Sequence, residues 1–572
     1  MFRAATMQNT PRARAPIGQV IPIAIPARGL NARDAFAVMG PEYAISLTNV
    51  TVEDFGIKTR KGYTEWAKNI PGTGPVWTVM SYYPASAAPL GKTFLPRGQS
   101  IVERMLRVPV AQALPPAGKL FAARSGALYD VTAGGTGPWT AEAGISGLGS
   151  AAFWTWINFQ NIAGSFLLAC CDSGGYAIYN GTSWTMPVAG AGVGQINGAN
   201  PANFVYVTEW KKRLWFIETE STRAWYLPVS QITGTVQSFD FGEQFRRGGK
   251  LVSLVNWTID GGVGIDDYLI AVSSQGTVVV YKGTDPASAS TFELHGVWNV
   301  GPLPTGHRAV TMTGGDVHIL SQFGVTPLTA LLNSPLLGSI ETKRETYVIA
   351  PLIAQLMQAY NTLDGWQIQT LPSEELLAIN VPPLALESPG DMFALKVTNG
   401  AWSMFKAMPY TSFVSIDSAI FAGLNDGRVV RAFDGTLDNL LPGVAGSGQP
   451  ILCQVTPSYQ AMGAPGLQKR FPLVRPTFLA STKPTISVAI LTDYGLPVTP
   501  STPSIPVPPP DVVWDSAHWG SSVWSAPLGQ QIRQWIGTRG VGFVATVQLD
   551  YRCTRETLLT SLDFWTEPGG VM

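Results

Sequence analysis

The sequence predicts a mostly β chain: a β-propeller of about six or seven blades, a C-terminal β-sandwich-like domain and a small helical insertion. Three observations predict it. A short strand ending in an aromatic residue, often closed by a Gly-Thr turn, recurs as "SGALYDV" around Tyr129, "YAIYNGT" around Tyr179, "GTVVVYKGT" around Tyr281 and "GRVVRAFDGT" around Phe433. Successive aromatics lie close to one, two and three multiples of about fifty residues apart, a spacing that fits blades too small to bury a core without their neighbours. Turn formers and aromatics are abundant while charges are scarce: Gly 60, Pro 44, Trp 18 and only 13% charged residues, against roughly 25% charged in an average domain.

Residues 1–70 read as an N-terminal arm with platform strands. "PIGQVIPIAIPARG" (Pro16 to Gly29) excludes a helix because its prolines recur every few residues, and "FGIKTRKGYTEWA" (Phe55 to Ala67) reads as a hairpin edge. The propeller is assigned to 71–440. Strand-like segments around Tyr226, Leu328 and Trp402 fall near the vacant positions of the repeat. One stretch, at about 339–363, breaks the rhythm: its apolar stripe Val348, Ile349, Leu352, Ile353, Leu356 and Met357 predicts a helix. Pro351 must kink this helix or open a second one, and it packs either on the propeller or on a neighbouring subunit. From 441 to 572 strands return as a separate β domain, interrupted by "LPVTPSTPSIPVPPP" (496–510), a polyproline-like loop that is a spacer or a ligand for an aromatic groove.

Chemistry is hard to find. The 38 basic and 38 acidic side chains cancel, whereas tight nucleic-acid binding draws on neutralised phosphates. The cysteines Cys170, Cys171, Cys453 and Cys553 match no zinc or disulfide spacing and are expected as buried free thiols. The adjacent pair should point to opposite faces of one strand. His295, His307, His318 and His518 have no metal-ligand partner at a suitable spacing. "GAGVGQING" (Gly190 to Gly198) lacks the last glycine of a dinucleotide loop and reads as a blade linker. "DGGVGIDD" (Asp260 to Asp267) lacks the ligand alternation of an EF-hand and reads as a turn. The repeated Asp turn of sialidase propellers is missing: Tyr179 and Gly134 stand where Asp would precede Trp184 and Trp139. The turn in "YKGTDP" is scaffold punctuation, with Gly allowing positive φ and Pro fixing its own. The expectation is a protein that is not an enzyme, with no catalytic, cofactor-binding or metal site and no cofactor. Without an apolar leader or a membrane-length apolar run, it is expected in the cytosol when made.

Patches of the chain carry a likeness. Between Trp210 and Leu328 stand "RLWF", "AWYLP", "GGKL", "WTIDGG", "DDYLIAVSSQGTVVVYKGTDP" and "GGDVHILSQFGVTPL"; "YAISLTNVTVEDFGIKTRKGY" stands near the start and "VVWDSAHWGSSVWS" (512–525) near the end. Together these resemble the tail nozzle, or tail hub, proteins of short-tailed bacteriophages, over some sixty per cent of the chain in patches; the 496–510 loop departs from the pattern. The resemblance implies a structural virion protein in the tail, made in the host cytoplasm. A ring of copies, usually a homohexamer, would form the distal conduit and gate that retains packaged DNA and passes it during ejection. The implied partners are the tail adaptor or head-to-tail connector, tail fibres or tailspikes, and passing double-stranded DNA, with no stable membrane insertion. A conduit must not grip DNA, so its bore is expected to be mixed or mildly acidic. Arg246, Arg247, Lys250 and the Lys211–Arg213 run are then expected on outer or subunit-facing surfaces. The alternative is a propeller-bearing tail adhesion module that binds host surface glycans through the Trp-rich C-terminal part.

Overall fold

The computed structural model describes residues 18–84, 118–145, 153–260, 265–288, 290–332, 344–382, 390–416, 419–442, 444, 447–463, 465–498 and 530–568. It is a mostly β structure in which a β-propeller and a β-sandwich share one continuous sheet.

Seven antiparallel sheets follow one another around an axis among the described residues. Blade 1 holds Thr78–Tyr82, Lys119–Arg124 and Ala127–Asp130, with a bridge from Tyr129 to Ala141 in the fourth place. Blade 2 runs from Trp154–Asn161 to Trp184–Thr185, blade 3 from Phe204–Trp210 to Gln237–Asp240 and blade 4 from Leu251–Asp260 to Phe292–Asn299. The fifth sheet keeps three strands, Val310–Thr313, Asp316–Ser321 and Gly324–Pro327; the short helix α1 (Leu328–Leu332) follows where the other blades add an outer strand. Blade 6 spans Gln367–Leu371 to Ala401–Phe405. Blade 7 has Tyr410–Ile416, Ala419–Leu424 and Val429–Ala432, and takes its fourth strand, Tyr63–Ala67, from near the start of the chain. Five four-stranded blades and two three-stranded sheets, the first and the fifth, thus make up the ring, in line with the propeller expected from the sequence.

The repeat has a simple structural meaning. Tyr129, Tyr179, Tyr226 and Tyr281 lie on third strands, and Phe433 directly follows one. The intervals of one, two and three repeats are that many steps around the ring. Trp402 is the exception and lies on the outer strand of blade 6. Each blade buries its faces against its neighbours. Leu167, Ala169 and Cys171 point toward blade 1, whereas Leu168 and Cys170 point toward blade 3, so the adjacent cysteines do face opposite ways, as period-two alternation requires.

The segments expected as an N-terminal arm and a separate C-terminal domain are woven together. Ala44–Thr48 pairs in parallel with the outer strand of blade 6 at Thr48 and Met404, and antiparallel with Gln449–Pro457 on its other side. Ala545–Cys553 and Thr485–Thr492 continue that sheet. The facing sheet combines Val50–Glu53, Gly56–Thr59, Thr557–Pro568 and Lys469–Ala480, with Gln19–Ile23 along an edge of Thr557–Pro568. Leu47, Val455, Leu549 and Tyr551 of the first sheet meet Ile57, Val474, Phe478 and Phe564 of the second in one core. Phe55–Ala67 is therefore not one hairpin edge: Gly56–Thr59 belongs to the sandwich and Tyr63–Ala67 to the propeller. Arg60 and Lys61 carry the chain across, and Gly62 fits because any side chain there would strike the Leu437 carbonyl.

The helical insertion is Tyr347–Ile349, a 3-10 turn, and helix α2 (Ala350–Tyr360), with Pro351 at its opening where a missing N–H costs nothing. Ile349, Ile353 and Met357 join the core shared by the fifth sheet and the sandwich, so α2 packs on its own chain. Residues 339–343, most of the 496–510 loop and 512–525 lie outside the described residues.

Candidate functional site

The propeller axis is where the seven inner strands converge. Loops leading into those strands supply Phe153, Lys250, Thr305–Arg308 and Asp364; turns between second and third strands supply Asp172 and Glu218–Glu220. Asp172, Glu218–Glu220, Lys250, Thr305–His307 and Asp364 line a cavity of 140 Å³ at one mouth of the channel, and Phe153 and Arg308 line a smaller pocket that shares Asp172 and Asp364 with it.

Arg308 closes the floor of that mouth. It leaves the chain just before the inner strand of the fifth sheet and reaches across to blades 1 and 2. Its guanidinium donates to the carbonyl of Trp77 at 3.2 Å, the carbonyl of Trp154 at 3.0 Å and the Thr78 hydroxyl. Its carbon lies 5.2 Å from the centre of the Phe153 ring. Burial pushes the guanidinium down to about 10, although the carboxylate of Asp172 opposes that shift. Among the described residues no carboxylate forms an ion pair with it, so a nearly bare cation is held at the axis by neutral acceptors. Such a group is costly to bury and marks a place where structure or binding needs it.

Asp172 accepts from the backbone N–H groups of Phe153 at 3.2 Å and Ser173 at 2.9 Å. Burial raises its carboxyl above the usual range, and the charge of Asp364 adds to the effect. Asp364 is raised as well, by burial, with Lys250 opposing. Lys250 pairs with Glu220 at the rim. His307 donates through Nδ1–H to the Val252 carbonyl at 2.6 Å, and burial lowers its pKa. This is a mixed polar mouth with acids above and a lone guanidinium below. Beneath Arg308 the channel opens into a cavity of 280 Å³.

The groups singled out in the sequence are mostly elsewhere. Cys170, Cys171, Cys453 and Cys553 are buried free thiols; burial pushes Cys171 up to about 12 and Cys553 to about 11, which removes their nucleophilic form. His318 packs 3.9 Å from Glu345, His295 lies beside Tyr268, and His518 is outside the described residues. Among the described residues no group of three or more His, Cys, Asp or Glu is placed to hold a metal ion. Gly190–Gly198 links blades 2 and 3; of the stretch from Asp260 to Asp267, Asp260 and Ile265–Asp267 lie in two paired strands of blade 4 and 261–264 lie outside the described residues. Lys211, Lys212 and Arg213 each have an acid partner: Asp267 at 2.8 Å, Glu209 at 3.2 Å and Asp285 at 3.5 Å. Arg246 and Arg247 are exposed, and Lys250 sits at the axial mouth. Arg308 and Gln367 went unnoticed in the sequence. A lone Arg or Gln has no motif, and only its place next to or within an inner strand could have drawn attention.

No family model matches the chain, and no curated protein matches it. Among solved structures it is similar to the computationally designed Ika8 protein, at 9% identity over 68% of this chain and 96% of that one, with a TM-score of 0.34. It is also similar to the β-propeller domain of Cps50 (Swd1) from Myceliophteria thermophila, at 13% identity over 55% and 92% with a TM-score of 0.34. The Sqt1 structure from Saccharomyces cerevisiae is similar at 13% identity over 59% and 90%, with a TM-score of 0.31. Likenesses at this level assign no function.

Proposed function

We propose that this chain is a structural virion protein, the subunit of a tail nozzle ring that retains packaged DNA and passes it during ejection. The observation that carries the reading is the nine-stranded sheet running from the propeller axis to the far side of the sandwich without a linker. A subunit built this way couples its propeller to its sandwich through backbone hydrogen bonds, which suits a ring under load. Its sequence resemblance to tail nozzle proteins points the same way. The axis of one propeller cannot be the conduit, because Arg308 crosses it and the space beneath is a small cavity. DNA would run between copies, usually six, with the adaptor ring above and fibres or tailspikes at the side. The role is not enzymatic and calls for no cofactor. The near absence of unpaired basic charge in the Lys211–Arg213 run suits a surface that DNA slides past.

Negative-stain images of the purified protein over a range of concentrations should show closed rings with a central hole. An antibody against the chain should decorate the tail of the virion. A lone monomer at every concentration, with no tail labelling, overturns the proposal.

A further inference from the structure

The cavity beneath Arg308 has the features of a binding site that the nozzle role does not require. Its wall includes Thr155, Thr208, Thr311, Arg308, Gln367 and Gln369 and, among the described residues, no carboxylate. Gln367 is only 9% exposed, and its Oε1 has no hydrogen-bond partner among the described residues. Its Nε2 donates at 2.7 Å to Gln369 Oε1, which leaves the Gln369 amide nitrogen free to donate further. Arg308 has five N–H donors, of which the carbonyls of Trp77 and Trp154 and the Thr78 hydroxyl use three. Unused donors on a cation and an unpaired acceptor in the wall of one cavity call for a ligand that carries both negative charge and hydroxyl groups. An orphaned buried acceptor is costly, and a hydroxyl donor placed there would remove that cost.

We infer that the axial cavity binds a small hydroxylated oxyanion, either a sugar acid or a sugar phosphate, with the anionic group on Arg308 and a ligand hydroxyl donating to Gln367. The acids of the mouth, Asp172 and Asp364, share a smaller pocket with Arg308 and are not among the residues that line this cavity. It needs one chain and no ring.

Isothermal titration of the full chain with D-glucuronate, glucose 6-phosphate, glucose and inorganic phosphate tests this. Binding of glucuronate or glucose 6-phosphate, at least about tenfold tighter than glucose or phosphate, is expected, because a site with unpaired polar groups rejects analogues that leave them unpaired; which of the two binds identifies the acid group. Arg308→Gln removes the cation but also the axial staple, so Gln367→Glu is the decisive variant. It keeps the shape, sets a negative charge beside the ligand, and should abolish binding, with circular dichroism at the titration temperature checking that the variant, which loses the Gln369 hydrogen bond, is still folded. Equal affinity for glucose, no binding of either charged sugar up to about 10 mM, or unchanged binding by Gln367→Glu would overturn the inference.

Discussion

Arg60 uses its whole guanidinium. Nε donates to Asn49 at 2.8 Å, and both terminal nitrogens grip Asp438 at 2.7 Å while also reaching the carbonyls of Lys61 and Lys406. Asn49 lies in the sandwich, Lys406 follows blade 6, and Asp438 follows blade 7, so one side chain ties three parts of the molecule. The pair is almost fully buried, and cutting one partner leaves the other as an uncompensated charge. Arg60→Ala is expected to cost about 3–5 kcal/mol, read as a fall in the urea midpoint; a loss below about 1 kcal/mol would mean water replaces the guanidinium freely. Asp172 gives a prediction of the opposite sign. Its folded carboxyl is raised by burial and by Asp364, so the folded state holds that proton more tightly than the unfolded chain. Stability therefore rises as pH falls through the raised value and is penalised above it. Asp172→Asn keeps the acceptor for Phe153 and Ser173 and removes the charge. Its midpoint should exceed the parent's at neutral pH, with the gap closing toward the ordinary carboxylate range; a gap independent of pH contradicts the assignment.

Helix α2 shows what an element contributes once its packing is known. Ile353 is fully buried between the fifth sheet and the sandwich, so Ile353→Ala should cost about 2–5 kcal/mol through lost burial and the cavity left behind. An equally stable variant in thermal unfolding would show that the helix serves a neighbouring copy instead. The helix was legible in the sequence because a 3.6-residue stripe against a β background is conspicuous, but its partner was not. Third strands were legible for a similar reason, since a β-branched run ending in an aromatic and a Gly turn is a local signal. What stayed hidden was pairing over long separations. Nothing local in "GYTEWA" says that Tyr63–Ala67 pairs with Val429–Ala432. Its alternating pattern suits a hairpin edge as well as an outer blade strand. Arg308 was hidden in the same way, since the groups that make it unusual lie on blades 1 and 2.

At the scale of the whole molecule, charge and connectivity lead to separate tests. With 38 basic and 38 acidic side chains, and with the Lys211–Arg213 run paired, duplex binding should be weak. In filter-binding assays the slope of log affinity against log salt should stay well below the roughly 5 to 9 expected for six to ten phosphate contacts; a steep slope would mark a clamp rather than a conduit. Connectivity has the stronger consequence. From Gln19–Ile23 in the sandwich the chain contributes Ala44–Thr48 to the shared sheet and Tyr63–Ala67 to the last blade, circles the axis, and returns to complete the sandwich. A ring closed by a distant strand holds its first and last blades together through that strand, and an open ring exposes the edge of Val429–Ala432 and the faces of blades 1 and 7. A fragment of 71–440 should therefore fail to fold, with no cooperative transition and a tendency to aggregate. A fragment of 60–442 regains Tyr63–Ala67 and the Arg60–Asp438 pair. It should unfold cooperatively by circular dichroism, at a lower midpoint than the full chain because Ile353, Met357 and Trp366 lose their sandwich neighbours. If both fragments fold equally well, strand closure contributes little. If neither does, the shared core with the sandwich, rather than the closing strand, holds the ring together.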